Sequence, residues 1–330
     1  MKFTFVIDNS PGDTNYIDIG QCLSTISRRS LRQGMVYGIK NINVLLPPAA
    51  PTNAGINSFY VSTLPNTWVM AEAWKKAFNH WLEQQNTALE EVGSEDSVAR
   101  SRDFKILADN DHLVDLTNGI PNLSPVMIGP GVGASTPTPT AILTNGGYTA
   151  AGDWEYSQVV LPTVNVGPDP LEPYLVAVGN DYNAGPALTP GRGIIKAYEE
   201  SRSKPNDPEP NLPAQISTNL YTDMQESFYE GNEHIIDNAV DHNNFLPYDV
   251  DNYPGGANNA RQLENVFWTL NTNTIGMREY NTGSFVAPCG LIRIDSFNNN
   301  DDSFIPMIVT VEMCPGDYKG YLAMPMQEMN

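Results

Sequence analysis

The sequence predicts an all-β fold, a β-sandwich with long loops, and three observations favour it. Short alternating apolar runs recur from the first residues to the last ones of this 330-residue chain. The chain contains 26 glycines and 26 prolines, which favour turns. Only 17% of its residues are charged, against roughly 25% in a typical soluble domain. Because strand patterns cover the whole length without a visible boundary, we expect one domain over residues 1–330.

The apolar runs that predict strands are bounded by turn residues. The first run covers residues 3–7 and ends at a cluster of Asn, Ser, Pro and Gly. In the longest run, strict alternation places Tyr37 and Ile39 on one face and Ile42 and Val44 on the other, of which the second is the more apolar. The remaining runs are residues 16–23, 59–61, 154–166, 174–178, 266–270, 285–294 and 305–313.

One segment predicts a long helix, a helical insertion at about residues 66–91. Trp74 and Trp81 belong to a broad apolar stripe at helical spacing, and Asn66 or Thr67 can cap the first turn. Such a helix would be ~39 Å long. We expect its tryptophans to pack on this subunit's own sheet, with a contact between subunits as the alternative.

Several function classes find no support in the sequence. No window approaches 18 consecutive apolar residues, so we expect no membrane-spanning helix. The N-terminus is too short and too soon charged for a signal peptide. The three cysteines form no CxxC pair, which favours a reducing place of synthesis, and the four histidines show no zinc-ligand spacing. There is no GxSxG elbow, and no lysine follows the glycine-rich residues 129–133. We therefore expect no enzyme.

Acidic turns are the candidate metal sites. Asp249 and Asp251 lie in one turn, and residues 298–302 form a second cluster of oxygen donors. Counted from Asp249, the calcium-loop spacing fails, because Tyr253 and Ala260 stand where ligands belong. Solvated turns are therefore favoured over a metal site. The alternative is a calcium ion between subunits, since a chain of net charge −20 that self-associates must relieve repulsion.

A dense basic cluster near the N-terminus is the candidate nucleic-acid site. Arg28, Arg29 and Arg32 lie close together in the sequence, and Lys40 follows shortly after. They form either a solvated face with salt bridges to the many acids, or a contact for phosphates, on which each guanidinium can fork. A few charges per chain become appreciable when many copies line one surface.

The sequence resembles the capsid proteins of circular, Rep-encoding single-stranded DNA viruses from environmental sources. The best matching segments are the C-terminal ones, residues 285–292 (FVAPCGLI) and 311–322 (VEMCPGDYKGYL). The other matching segments are residues 16–24 (YIDIGQCLS), 28–35 (RRSLRQGM), 65–69 (PNTWV), 74–78 (WKKAF), 246–256 (LPYDVDNYPGG) and 325–326 onward.

The resemblance implies a single jelly roll of two four-stranded antiparallel sheets. It implies a virion protein, made in the host cytoplasm or nucleus, that binds copies of itself, about 60 or a multiple, in a small icosahedral shell around circular single-stranded DNA. Many such proteins begin with a basic arm, whereas this sequence begins with a strand. Neutralising the genome would then depend on Arg28, Arg29 and Arg32, on cations or on another protein.

A calcium-dependent β-sandwich module for carbohydrate binding or adhesion is the alternative. It would use exposed aromatic side chains, such as Trp154 and Tyr148, beside calcium held in the acidic turns. The two hypotheses differ in oligomeric state, because a capsid subunit forms large closed particles whereas a lectin stays at a few subunits.

Overall fold

The structure is a computed structural model that describes residues 1–7, 14–46, 56–93, 103–118, 122–125, 154–160, 172–179, 181, 191–200, 264–271, 278–298 and 307–329. Within these ranges the helices are α1 (Ile19–Ser27), α2 (Trp68–Val92), α3 (Asn110–Thr117) and α4 (Ile194–Glu200), and 3-10 turns lie at Pro288–Gly290 and Met326–Glu328. The strands are β1 (Lys2–Ile7), β2 (Thr14–Asp18), β3 (Met35–Leu46), β4 (Ile56–Thr63), β5 (Tyr174–Val176), β6 (Gly191–Gly193), β7 (Glu264–Asn271), β8 (Arg278–Asn281), β9 (Phe285–Ala287), β10 (Leu291–Asn298), β11 (Met307–Met313), β12 (Pro315–Gly316), β13 (Gly320–Tyr321) and β14 (Ala323–Pro325).

The fold is mostly β, as the composition predicts, and its two large sheets are antiparallel. The second sheet has the strand order β2-β10-β4-β7. The first has the order β1-β11-β3-β14, with β8 and β9 also paired to β3. Buried apolar side chains of both sheets form one core between them. Its members include Phe5, Ile17, Phe59, Ile294 and Val309.

The six strands of the first sheet occupy four positions. Tyr37 pairs with both Ala287 of β9 and Ala323 of β14, so these two strands flank β3 on opposite sides. Ile39 likewise pairs with both Met313 of β11 and a residue of β9. Strands β11 and β14 therefore share one side of β3, while β8 and β9 share the other. The sheet therefore has six strands where the resemblance implied four, because each side of β3 pairs with two strands in place of one long strand.

The pairing of the long strands is nested along the chain. Strand β1 pairs with β11, β2 with β10, β3 with β8 and β9, and β4 with β7. Strands that follow one another alternate between the two sheets from β1 to β4 and again from β8/β9 to β11. All of these pairings are antiparallel.

A β-bulge in β3 corrects the alternation expected for this strand. Glu312 pairs with Asn41 and the next residue of β11 pairs with Ile39, so Lys40 is the extra residue. Because one extra residue exchanges the faces of a strand, Ile39 before the bulge and Ile42 after it enter the same core. Strict period-two counting had assigned these two residues to opposite faces, and this was wrong.

The long helix predicted at residues 66–91 is confirmed as α2. The Thr67 side chain accepts a hydrogen bond from the Met70 backbone N–H, and Gly93, with φ 64°, ends the helix. Trp74 and Trp81 are buried within this chain, in a second apolar cluster outside the sandwich core. The cluster also contains the strand residues Val36 and Leu291, which agrees with the expectation that these tryptophans pack on this subunit's own sheet.

Two predicted apolar runs are divided by residues that end a strand. Residues 16–23 split at Asp18, whose side chain caps α1 by accepting from the Gln21 N–H at 3.1 Å. Residues 285–294 split at a 3-10 turn that begins at Pro288, because proline cannot donate to the sheet. Residues 154–160 form only a single bridge, Gln158 to Tyr174, rather than a strand.

Candidate nucleic-acid interface

The three arginines lie on one exposed loop between α1 and β3. Arg28 follows the last residue of α1 in the left-handed region, with φ 54°, and so turns the chain out of the helix. Arg28, Arg29 and Arg32 are all exposed. Guanidinium groups presented in this way are available to phosphate oxygens, because each carries several donors in a fixed fork.

Hydrogen bonds at both ends hold this basic loop in place. The Ser24 hydroxyl donates to the Leu31 carbonyl at 3.2 Å and accepts from the Leu31 N–H at 2.9 Å. The Leu31 side chain is 1% exposed and packs in the sandwich core. The Arg32 carbonyl accepts from the Tyr37 hydroxyl at 2.6 Å. The backbone of the loop is therefore fixed by its own residues, while its charged ends extend into solvent.

The hairpin of β12 and β13 adds a fourth cation to the loop. The Lys319 ammonium donates to the Ser30 carbonyl, although the two residues are 289 positions apart. The Arg32 N–H donates to the Tyr318 hydroxyl at 3.4 Å. Charge spacing in the sequence gave no signal for Lys319, because only the tertiary fold brings this hairpin to the loop. The interface contains Arg28, Arg29, Arg32 and Lys319, and we call it the basic loop surface.

Lys40 lies apart from this surface in its contacts. It is at the bulge of β3, and its ammonium donates to a Glu312 carboxylate oxygen at 2.9 Å. Lys2 lies 3.3 Å from the other oxygen of Glu312. Hydrogen bonds from Lys40 and then from Lys2 lower the pKa of Glu312, which keeps it ionised. The grouping of Lys40 with the arginines therefore stays a prediction, and its charge is already paired.

The acidic turns proposed to hold calcium, at Asp249 and Asp251, lie outside the described residues, as does Tyr148. In the part of the chain that the structure describes, no group of three or more His, Cys, Asp or Glu side chains could hold a metal ion. Trp154 is half-buried, donates to Asp18 and carries the Lys105 ammonium 4.5 Å from its ring centre. It is therefore a packed side chain rather than the exposed platform that the alternative hypothesis uses.

A buried cluster of charged side chains surrounds Arg293, and no pattern in the sequence predicts it. Arg293 of β10 pairs with Asp109 and lies 3.0 Å from Asp111, and its Nε donates to both oxygens of Asp295 at 3.0 Å. The Tyr16 hydroxyl donates to Asp109, and burial followed by the Asp109 charge raises its pKa well above the usual value. The cluster joins β2 and β10 to the cap of α3. Its members are far apart in sequence, so no spacing could have revealed it.

Asp18 is a second buried acid, held by neutral donors. It accepts from the Gln33 amide at 2.8 Å and from Trp154 Nε1 at 2.9 Å, in addition to the cap on α1. Burial raises its pKa to about 6, against the lowering effect of these hydrogen bonds. These hydrogen bonds join the sandwich to the segments packed on it, and we assign Asp18 a structural role.

Three further findings complete the description. No helix in the described ranges has the length and apolar character needed to cross a membrane. The thiols of Cys22, Cys289 and Cys314 are free, the first two being buried. No known protein family, curated protein or solved structure matches this chain.

Proposed function

We propose that this protein is a capsid subunit. It would have the jelly-roll fold and would self-assemble into a small icosahedral virion shell around a circular single-stranded DNA genome. The proposal assigns it a structural role and no catalysis. It unites the resemblance described above with the geometry of the two sheets and of the basic loop surface.

The nested pairing of the strands carries the proposal. A jelly roll arises when an antiparallel ribbon of eight strands is rolled into two facing sheets. In such a ribbon the first strand pairs with the last and the second with the one before the last. The pairs β1–β11, β2–β10, β3–β8/β9 and β4–β7 follow this rule. Jelly rolls occur in viral capsids and also in lectin domains and cupins, so the fold alone does not assign a function.

The basic loop surface supports the contact with nucleic acid. Each of its four cations can contact one phosphate, and a shell of many copies repeats this contact over its surface. The net charge of −20 makes an attractive contact elsewhere on the chain harder to obtain by charge alone. We therefore place the genome contact at Arg28, Arg29 and Arg32, with Lys319 as the added member.

Negative-stain imaging of the protein expressed alone, together with its 260/280 nm absorbance ratio, tests the proposal. Uniform spherical particles with a raised ratio are the expected result. Uniform particles with a protein-like ratio would retain the shell but remove the genome contact. A species of a few subunits under all salt and calcium conditions would overturn the proposal and favour the binding module.

A further inference from the structure

A cleft of about 530 Å³ opens directly beside the basic loop surface. Its lining includes the cationic side chains of Arg32 and Lys319 and the aromatic side chains of Trp74, Phe78 and Phe104. Its volume lies in the range of about 300–1,000 Å³ that is usual for small-molecule sites. The cleft thus combines cations with a wall of flat rings.

The aromatic wall is rigidly packed. The Trp74 and Phe78 rings are parallel within 5°, with centres 5.1 Å apart, and Phe104 meets Trp74 edge-on at 5.6 Å. Gly34 closes on Trp74, since a Cβ atom there would lie 2.7 Å from an indole ring carbon. The Trp74 indole N–H is buried, and none of the residues that the structure describes accepts a hydrogen bond from it. Trp74 and Phe104 are 4% and 2% exposed, whereas Phe78 is only partly buried, so Phe78 is the ring of this wall against which a nucleic-acid base can pack.

Asp103 supplies the acceptor in the lining of the cleft. Its Oδ2 accepts from the Gln33 N–H at 3.4 Å and lies 3.8 Å from the Lys105 ammonium. Among the described residues, no group donates to its Oδ1. The carboxylate is 8% exposed. An acceptor held in this way favours a ligand that offers N–H groups.

We propose that this cleft binds one unpaired guanine nucleotide of a single DNA strand. The base lies against Phe78, its N1–H and 2-amino groups donate to Asp103, and its phosphate contacts Arg32 and Lys319. Guanine is favoured because it is the base with two adjacent donors that match the two oxygens of a carboxylate. The inference rests on the proposed function for the DNA strand, and it adds the base and the residues that select it.

Fluorescence anisotropy with end-labelled DNA pentamers tests this inference on the purified full chain. The three probes are all-thymine, thymine with a central guanine, and thymine with a central hypoxanthine, which lacks the 2-amino group. We expect the guanine pentamer to bind about tenfold more tightly than the all-thymine one, with hypoxanthine between them. Equal affinities for all three, or no binding of any, would overturn the inference.

Two variants distinguish the recognition of guanine in the cleft from non-specific electrostatic attraction between the protein and DNA. Asp103→Asn should abolish the preference for guanine, because one donor–acceptor pair is lost and an amide donor faces the base. Asp317→Asn is the matched control, since it removes the same charge from an exposed site of the neighbouring hairpin and should keep the preference. A guanine preference that survives Asp103→Asn would overturn the assignment of this residue.

A second pair of variants guards against a misfolded Asp103→Asn protein. Arg32→Ala with Lys319→Ala should abolish binding of free deoxyguanosine monophosphate, whereas Lys75→Ala with Lys76→Ala, at two exposed positions of α2, should leave it unchanged. Equal losses in both would overturn the placement of the phosphate. Shells that form without a base preference would overturn only the cleft inference. A guanine preference in a protein that never forms shells would overturn only the proposed function.

Discussion

The Trp154 indole N–H donates a 2.9 Å hydrogen bond to Asp18, although the two residues are 136 positions apart in the chain. Asp18 is fully buried at the N-cap of α1, and the hydrogen-bond donors that it finds among the described residues are neutral. Burial therefore raises its pKa to about 6. The bond ties the sandwich to a segment packed outside it and gives the folded state a titratable group in the mildly acidic range.

Because of Asp18, we expect the free energy of unfolding to fall as the pH rises through about 6. Between about pH 4 and 6 the folded state binds more protons at Asp18 than the unfolded state, whose carboxyl has a pKa near 3.9. This difference in pKa corresponds to roughly 2 kcal/mol of unfolding free energy lost between pH 4 and pH 7, because the unfolded carboxyl is already about half ionised at pH 4. Urea unfolding of the unassembled protein across this range measures it.

Asp18→Asn is the control for this pH dependence. The variant keeps the side-chain shape and lacks the titrating proton, so its unfolding free energy should change less between pH 7 and pH 4. Asp103, whose pKa is also raised chiefly by burial, is present in both proteins, so the difference between them reports Asp18 together with its repulsion from the Asp103 charge. Parallel pH profiles for the two proteins would contradict the assignment to Asp18.

Replacing Arg293 should destabilise the fold strongly. Arg293→Met leaves Asp109, which is 4% exposed, without its cation. Removing one partner of a buried ion pair costs about 3–5 kcal/mol. Urea unfolding at constant pH and salt measures the loss.

Arg192→Met is the matched control for the buried cluster. Arg192 pairs with Asp181, but its side chain is 43% exposed. Exposed pairs contribute about 0–1 kcal/mol, so this variant should lose little stability. Similar losses in the two variants would show that the Arg293 cluster is no more important than a surface pair.

Neutralising the three arginines should lower packaging more than assembly. In Arg28→Ala, Arg29→Ala, Arg32→Ala the loop keeps its backbone hydrogen bonds, so shells should form with a lower 260/280 nm ratio. A plot of the logarithm of the binding constant for single-stranded DNA against the logarithm of the salt concentration should become shallower. Its slope should fall by about 2, because each lost phosphate contact removes ~0.7. Unchanged packaging would remove these residues from the genome contact.

Exposed lysines elsewhere provide the control for that triple variant. Lys2→Ala, Lys75→Ala, Lys76→Ala removes the same charge from other exposed positions and should leave packaging closer to the unaltered protein. Lys40→Ala alone should change packaging little, because its ammonium is paired with Glu312. A large loss in Lys40→Ala would restore this residue to the genome contact.

Chelation tests the predicted calcium between subunits. If the turn of Asp249 and Asp251 binds calcium at interfaces, a chelator should loosen particles near neutral pH, because carboxylates then repel one another. Asp249→Asn with Asp251→Asn should give particles that no longer respond to the chelator. Particles that are indifferent to chelation and contain no metal by mass spectrometry would end this hypothesis.

Much of the fold could be predicted from local patterns. The α2 stripe, its Thr67 cap and its Gly93 end are all encoded within one segment, because helical periodicity and capping depend on neighbouring residues. Most of the long strands lie where apolar runs alternate between turn residues, whereas residues 154–160 form only a single bridge and β8 lies outside every predicted run. Their ends were less predictable, since a cap such as Asp18 or an interruption such as Pro288 changes the element within an apolar run.

The candidate site could be predicted only in part, because only some of its residues are neighbours in the sequence. Arg28, Arg29 and Arg32 are adjacent in the chain, so their cluster is visible in the sequence. Lys319 and Asp103 join them only in the folded chain, through the hairpin that donates to Ser30 and the segment that contacts Gln33.

The sequence by itself determined the strand-rich class, the long helix and the adjacent arginines, because each depends on residues within one segment. Tertiary structure decided which strands pair, where the bulge at Lys40 exchanges the faces of β3, and which acids surround Arg293. Those features join residues hundreds of positions apart. A single strand could form hydrogen bonds with many other strands. The pairing that the fold adopts is the one that buries the apolar side chains of both strands.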